Sequence, residues 1–214
     1  MSPLITPIAR PDREPAIITL PGLDGSEPRH WQTVWERQDP AITRIDMGDW
    51  SQPHRNLWVN RLNLALHRLD RPAVLVAHSL GCLALAWWVA YEQPRWGERL
   101  AGALLVAPPD VDCAVFDQRL LPFAPTPLVP LPFPSLLVAS RNDPYAEFAR
   151  SRRLASFWGS EFCDAGYIGH INGESGLGSW TQGRELLGRL IGRTRGEHGP
   201  VLPQVQTVEY ALAN

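Results

Sequence analysis

Short runs of Val, Ile, Leu and Ala recur along the chain, and longer amphipathic or small-residue stretches separate them. The runs fall at 16–20 (AIITL), 73–77 (AVLVA), 101–107 (AGALLVA) and 135–139 (SLLVA), and shorter, more polar strand candidates lie at 42–46 (ITRID) and 161–164 (EFCD). Helices are expected over 28–38, 80–91, 144–157 and 180–193. A further one follows Trp50-Ser51-Gln52-Pro53, with Leu57, Leu62, Leu64, Leu66 and Leu69 supplying its apolar face. Strands that are apolar on both sides belong to sheets covered on both faces, the habit of parallel sheets. The alternation therefore predicts an α/β chain with a doubly wound, mostly parallel sheet of about six strands and helices on both faces. In such a sheet the working crevice lies beyond the carboxyl ends of the strands, so the loops after the strands carry any chemistry.

Composition sets the outer bounds. With 214 residues, 44% of them hydrophobic, the chain suits one domain over 1–194 and a tail over 195–214, docked through 201–210. A formal charge of -2 with scattered arginines gives no electrostatic footprint for nucleic acid or an anionic membrane. The N-terminal MSPLITPIARPDREP lacks the apolar core of a signal peptide. No apolar run approaches the ~20 residues of a membrane span. Three widely spaced cysteines, Cys82, Cys113 and Cys163, argue against a disulfide framework and for a cytoplasmic location. Prolines crowd residues 108–134, which reads as a long irregular excursion. Phe116, Phe123 or Leu128 of that excursion is expected to wall a pocket.

The strongest local signal is Ala77-His78-Ser79-Leu80-Gly81, at the junction of the third strand and its helix. A serine on a strained strand-to-helix turn needs small residues two positions before and after it, so that strand and helix can pass closely. Ala77 and Gly81 meet that need. The competing reading is that Ser79 simply caps the helix. A serine hydroxyl is a weak nucleophile and requires a base and an orienting acid.

Of the six histidines only His170 and His198 follow Ser79, and His198 lies in the tail. His170 sits between Gly169 and Ile171 past the sixth strand, where the base of such a site belongs, although a plain turn residue would look the same. Asp143 follows the fifth strand and is the favoured acid; Asp110 and Asp112 are rivals, and Asp143 before Pro144 could also cap a helix. For an oxyanion, the backbone N–H of Leu80 and one from the Gly22–Gly25 turn, Leu23 or else Gly22, are the candidate donors. That turn lacks both phosphate-cradling glycine patterns, and His30 and His54 lack metal-ligand spacing, so no cofactor or metal is expected. His78 is expected to point away from Ser79, and Cys82 to be buried.

Taken together the motifs resemble the small serine hydrolases related to retinoblastoma-binding protein 9. The resemblance runs from about Ile17 to Leu190. It rests on Pro21-Gly22 with His30-Trp31, on Asp49-Trp50-Ser51-Gln52-Pro53 with Trp58, and on Val76–Gly81 and Ser140–Pro144. Gly169-His170-Ile171-Asn172, Ser175–Gly178 and Trp180 complete it. It implies an α/β-hydrolase core without a large lid, with nucleophile, acid and base at Ser79, Asp143 and His170. The expected activity is hydrolysis of a small carboxylic ester or related acyl substrate through an acyl-enzyme. The alternative is a weakly catalytic or non-catalytic interaction module on the same fold. A retinoblastoma-binding L-x-C-x-E motif is missing, since Leu80-Gly81-Cys82-Leu83-Ala84 ends in Ala. The sequence leaves the oligomeric state open.

Overall fold

The structure, a computed structural model, describes residues 14–113 and 117–194. The expected N-terminal features, Phe116, His198 and the 195–214 tail lie outside the described residues. Six strands, β1 (Ala16–Leu20), β2 (Ile42–Arg44), β3 (Ala73–His78), β4 (Leu100–Val106), β5 (Ser135–Ala139) and β6 (Glu161–Asp164), form one sheet in the order β2-β1-β3-β4-β5-β6. Every neighbouring pair is parallel. The winding starts at β1, runs outward to β2, then crosses back through β3 to β6. β3 lies between β1 and β4 and all six of its residues are buried, which is why AVLVAH reads as an unbroken apolar run up to its last residue.

Side chains alternate between the two faces with the period of two that a strand imposes. Ile18, Leu20, Leu75, Ala77, Leu105 and Leu137 face α2 (Arg55–His67), α3 (Leu80–Glu92) and α4 (Phe148–Trp158). Ile42, Val74, Val76, Leu104, Val106 and Val138 face α1 (Trp31–Gln38) and α5 (Thr181–Thr194). Trp31, Trp35, Trp58, Trp88 and Trp158 are fully buried in these two layers. Each such side chain contributes on the order of 2–3 kcal/mol through area removed from water. Among the described residues no helix is long and apolar enough to cross a membrane.

Three sequence expectations need correction. The buried stripe of α2 is Trp58, Val59, Leu62 and Leu66, while Leu57 and Leu64 are exposed. Trp58, Leu62 and Leu66 follow the four-residue spacing of one helix face, and the two exposed leucines fall off it. The fourth helix begins at Phe148 with Glu147 as its cap, so Asp143 is not a helix cap. The proline-rich excursion contains a 3-10 helix, Gln118–Phe123, whose Leu120 and Phe123 are buried. Phe123 lies in the core against Trp58, and Leu128 is exposed.

Candidate active site

β3 ends at His78, and the chain must turn at once into α3. Ser79 makes that turn with φ +52°, a left-handed conformation that is costly for any residue with a Cβ. The turn works because its neighbours are small. A Cβ on Gly81 would lie 2.4 Å from the Leu20 carbonyl oxygen, and one on Gly22 would lie 2.7 Å from the Ser79 Cβ. Ser79 stands at the cap position of α3, yet its side chain makes no capping hydrogen bond. Its hydroxyl lies 2.9 Å from Nε2 of His170 instead.

His170 arrives from the loop after β6. Its Nδ1 lies 2.9 and 3.0 Å from the two carboxylate oxygens of Asp143. With Nδ1–H donating to the carboxylate, Nε2 carries the lone pair that accepts from the Ser79 hydroxyl. The side chains of His170 and Asp143 are 9% and 4% exposed, so the chain of bonds is largely screened from water. Asp143 also accepts the N–H of Tyr145 at 2.9 Å, across the intervening Pro144. The rival acids point elsewhere: Asp110 and Asp112 both pair with Arg150, at 3.3 and 2.6 Å.

The two loops that supply Asp143 and His170 are laced together. Ser140 accepts the N–H of Ile168, and Asn142 accepts the N–H of Gly169, each at 2.9 Å. From the opposite side, the indole N–H of Trp31 donates to the Ile171 carbonyl at 2.7 Å and that of Trp35 to Ser179 at 2.6 Å. The Tyr145 ring lies 4.4 Å from the His170 ring, centroid to centroid.

The turn after β1 borders the same point. Leu80 opens α3, where first-turn amides have no intrahelical acceptor. Gly22 lies so close that a Cβ there would be 3.1 Å from the Leu80 nitrogen. In the turn itself Gly25 N–H returns to Gly22 O and Asp24 N–H goes to Trp50 O. Among the described residues Leu23 N–H has no backbone acceptor. Arg119 of the proline-rich excursion fastens this turn: its guanidinium takes both carboxylate oxygens of Asp24 at 2.9 and 3.1 Å, the Ser51 carbonyl at 3.0 Å, and Asp117. Nothing in the sequence marks Arg119, because Asp24 is 95 residues away. Ser140 and Asn142 lie inside the Ser140–Pro144 motif, but only the folded loops show what they hold.

Two further histidines lie beneath the site. His78 is buried on the α1 face and donates from Nε2 to the His170 carbonyl at 3.0 Å. Burial, then His30 and His170 nearby, hold it well below the usual imidazole range, against the pull of that carbonyl. His30 caps α1 by accepting Gln32 N–H, and burial, helped by Arg44 and His170, lowers it to about 3. Both are neutral at ordinary pH. Cys82 is buried, and burial pushes its thiol up, away from reactive thiolate.

Residues 17–189 match the model of the family described as serine hydrolase. Among solved structures, a Pectobacterium atrosepticum protein described as a YdeN-like hydrolase is 35% identical with a TM-score of 0.74, over 85% of this chain and 92% of that one. The ydeN gene product of B. subtilis is 22% identical with a TM-score of 0.65, over 81% of this chain and 97% of that one. RedJ, a thioesterase from Streptomyces coelicolor, is 14% identical with a TM-score of 0.58, over 90% and 96% of the two chains. At the last two identities the likeness shows the α/β-hydrolase fold alone. A search of curated proteins gave no match.

Proposed function

The chain belongs to the serine hydrolase family, and from that premise we propose that it cleaves a small carboxylic ester or related acyl compound through an acyl-enzyme on Ser79. The observation that carries the reading is the line Ser79 Oγ, His170 Nε2, His170 Nδ1, Asp143 carboxylate, with both gaps at 2.9 Å. Ser79 Oγ attacks the acyl carbon while its proton passes to His170 Nε2. The acyl oxygen takes the displaced electron pair, and the N–H groups of Leu80 and Leu23 hold it; one such donor is worth about 10²–10³ in kcat. The intermediate collapses, the bond to the leaving oxygen breaks, and His170 returns the proton to that oxygen. A water, deprotonated by His170, then attacks the acyl-enzyme, releases the acid and restores Ser79. Asp143 keeps the imidazole in the tautomer that accepts from Ser79 and stabilises the imidazolium that forms.

Kinship with the relatives of retinoblastoma-binding protein 9 is part of the same proposal and rests on the motifs. Esters and thioesters would use the same groups, because the triad chemistry does not distinguish their leaving atoms. Treatment with a fluorophosphonate followed by intact-mass measurement tests the reading. One adduct on the wild type and none on Ser79→Ala is expected; a folded wild type without an adduct overturns it.

A further inference from the structure

We infer that His78 is a positioning residue of this site: its ring N–H holds the main-chain carbonyl of His170 and so fixes the turn from which the His170 imidazole reaches Ser79 and Asp143. The inference rests on the reading of Ser79 as nucleophile and His170 as base.

The turn at His170 is strained. Ile171 has φ +50° and is fully buried. A left-handed backbone is a true outlier for a β-branched residue, at about 1–2 kcal/mol, and persists only where the surroundings over-determine it. Two ring donors meet two consecutive carbonyls there. His78 Nε2–H takes the carbonyl of His170 at 3.0 Å and Trp31 Nε1–H takes that of Ile171 at 2.7 Å. The acceptor is a carbonyl, so the proton on His78 is assigned to Nε2.

His78 differs from Trp31 in where its other end is fixed. It is the last residue of the central strand and the immediate neighbour of Ser79, so one dipeptide carries the nucleophile on its second residue and restrains the base from its first. Strand alternation sends the His78 ring to the α1 face, under the base loop, with its centroid 5.0 Å from that of His170 and 4.7 Å from that of His30. Gln32 N–H caps Nδ1 of His30, and burial keeps both lower rings neutral, so His78 presents the same donor through a catalytic cycle. Any movement of the His170 main chain away from Ser79 must break this bond or move the central strand. A misplacement on the order of 1 Å in such a site removes about 10²-fold in rate.

The test compares His78→Leu, which fills space without a donor, with His78→Gln, whose amide N–H reaches about as far as Nε2. With p-nitrophenyl acetate, His78→Leu is expected to lose about 10- to 100-fold in kcat with KM within about threefold, and His78→Gln to recover most of it. The downfield proton resonance of His170 Nδ1–H should be sharp in the wild type and in His78→Gln, and broadened or lost in His78→Leu. If His78→Leu does not fold, His78→Asn takes its place, since its shorter amide falls short of the carbonyl; the same loss is expected. A wild type that takes up fluorophosphonate, beside a donor-free variant that reacts at the wild-type rate with its resonance intact, overturns the positioning role alone. A folded wild type that takes up none overturns the reading of Ser79 and with it this inference.

Discussion

Ser79 and His170 stand 91 residues apart in sequence and meet at 2.9 Å through Oγ and Nε2. Neither residue brings the other there. The meeting is made by a strained strand-to-helix turn on one side and, on the other, by a loop tied to the sequel of β5, to α1 and to the end of β3.

The carboxylate behind His170 makes the first prediction. Asp143→Asn keeps the shape but offers His170 an amide that can stabilise the wrong tautomer. The expected result is a fall of about 10³–10⁴-fold in kcat, with little change in KM and an unchanged far-ultraviolet spectrum. Steady-state kinetics on a chromogenic ester measures it, and a loss below tenfold would remove Asp143 from the proposed mechanism.

Close packing at the turn makes the second. In Gly81→Ala the new methyl meets the carbonyl oxygens of Leu20 and Pro21 at 2.4 and 2.7 Å, so strand and helix must separate. A loss of about 2–4 kcal/mol is expected, which for a chain of this size lowers Tm by roughly 5–15 °C. Differential scanning fluorimetry reads it directly. Gly188→Ala in α5 has nothing within 4 Å of the added methyl and is the matched control, expected to leave Tm unchanged or raised.

The buried histidines make the third. His30 falls from 6.5 to about 3 on folding, and His78 is lowered as well. The unfolded chain therefore binds protons that the folded chain refuses, so stability is fully present above pH 6.5 and is lost as the pH falls below it. For His30 the loss is about 1.4 kcal/mol per pH unit down to about pH 3, and His78 adds to it in the same direction. Thermal melts at pH 7, 6 and 5 should show a steepening fall in Tm. His30→Asn, which keeps a capping oxygen without the titration, should fall less steeply; equal slopes would refute the assignment.

Arg119 makes the fourth. Its bidentate grip on Asp24 joins a half-buried guanidinium to an exposed carboxylate, so its weight in stability is small. Its weight in placing the Leu23 amide is larger, because the bond joins the excursion to the turn beside Ser79. Arg119→Met should shift Tm by no more than about 2 °C yet lower kcat about tenfold, with Arg119→Lys intermediate. Fluorophosphonate labelling rates at equal folded fraction give the comparison, and an unchanged rate would free this loop of any role in the site.

Much of this was legible in the residues. The six strand-length stretches match six strands with boundaries shifted by a few residues at most. The inner strands β3, β4 and β5 are buried nearly throughout and leave no room for polar interruptions, while the edge strands β2 and β6 carry exposed polar residues. Ala77 and Gly81 flagged the turn, since only small residues let β1, β3 and α3 approach so closely. Leu57 and Leu64 misled, because leucine marks apolar character and not direction; Trp58 set the buried face of α2.

What the sequence by itself determined is local: the strand and helix alternation, the tight turn at Ser79, and the order of serine, acid and histidine at strand ends. These follow from backbone sterics and side-chain periodicity within a few residues of each position. Tertiary structure alone decided which acid faces His170, sending Asp110 and Asp112 to Arg150 and leaving Asp143 at Nδ1. It alone placed Arg119 on Asp24 and His78 on the His170 carbonyl. Those contacts join residues tens of positions apart, and their partners are chosen by which strand ends the sheet order places side by side, a property of the packed sheet that no short window of the chain contains.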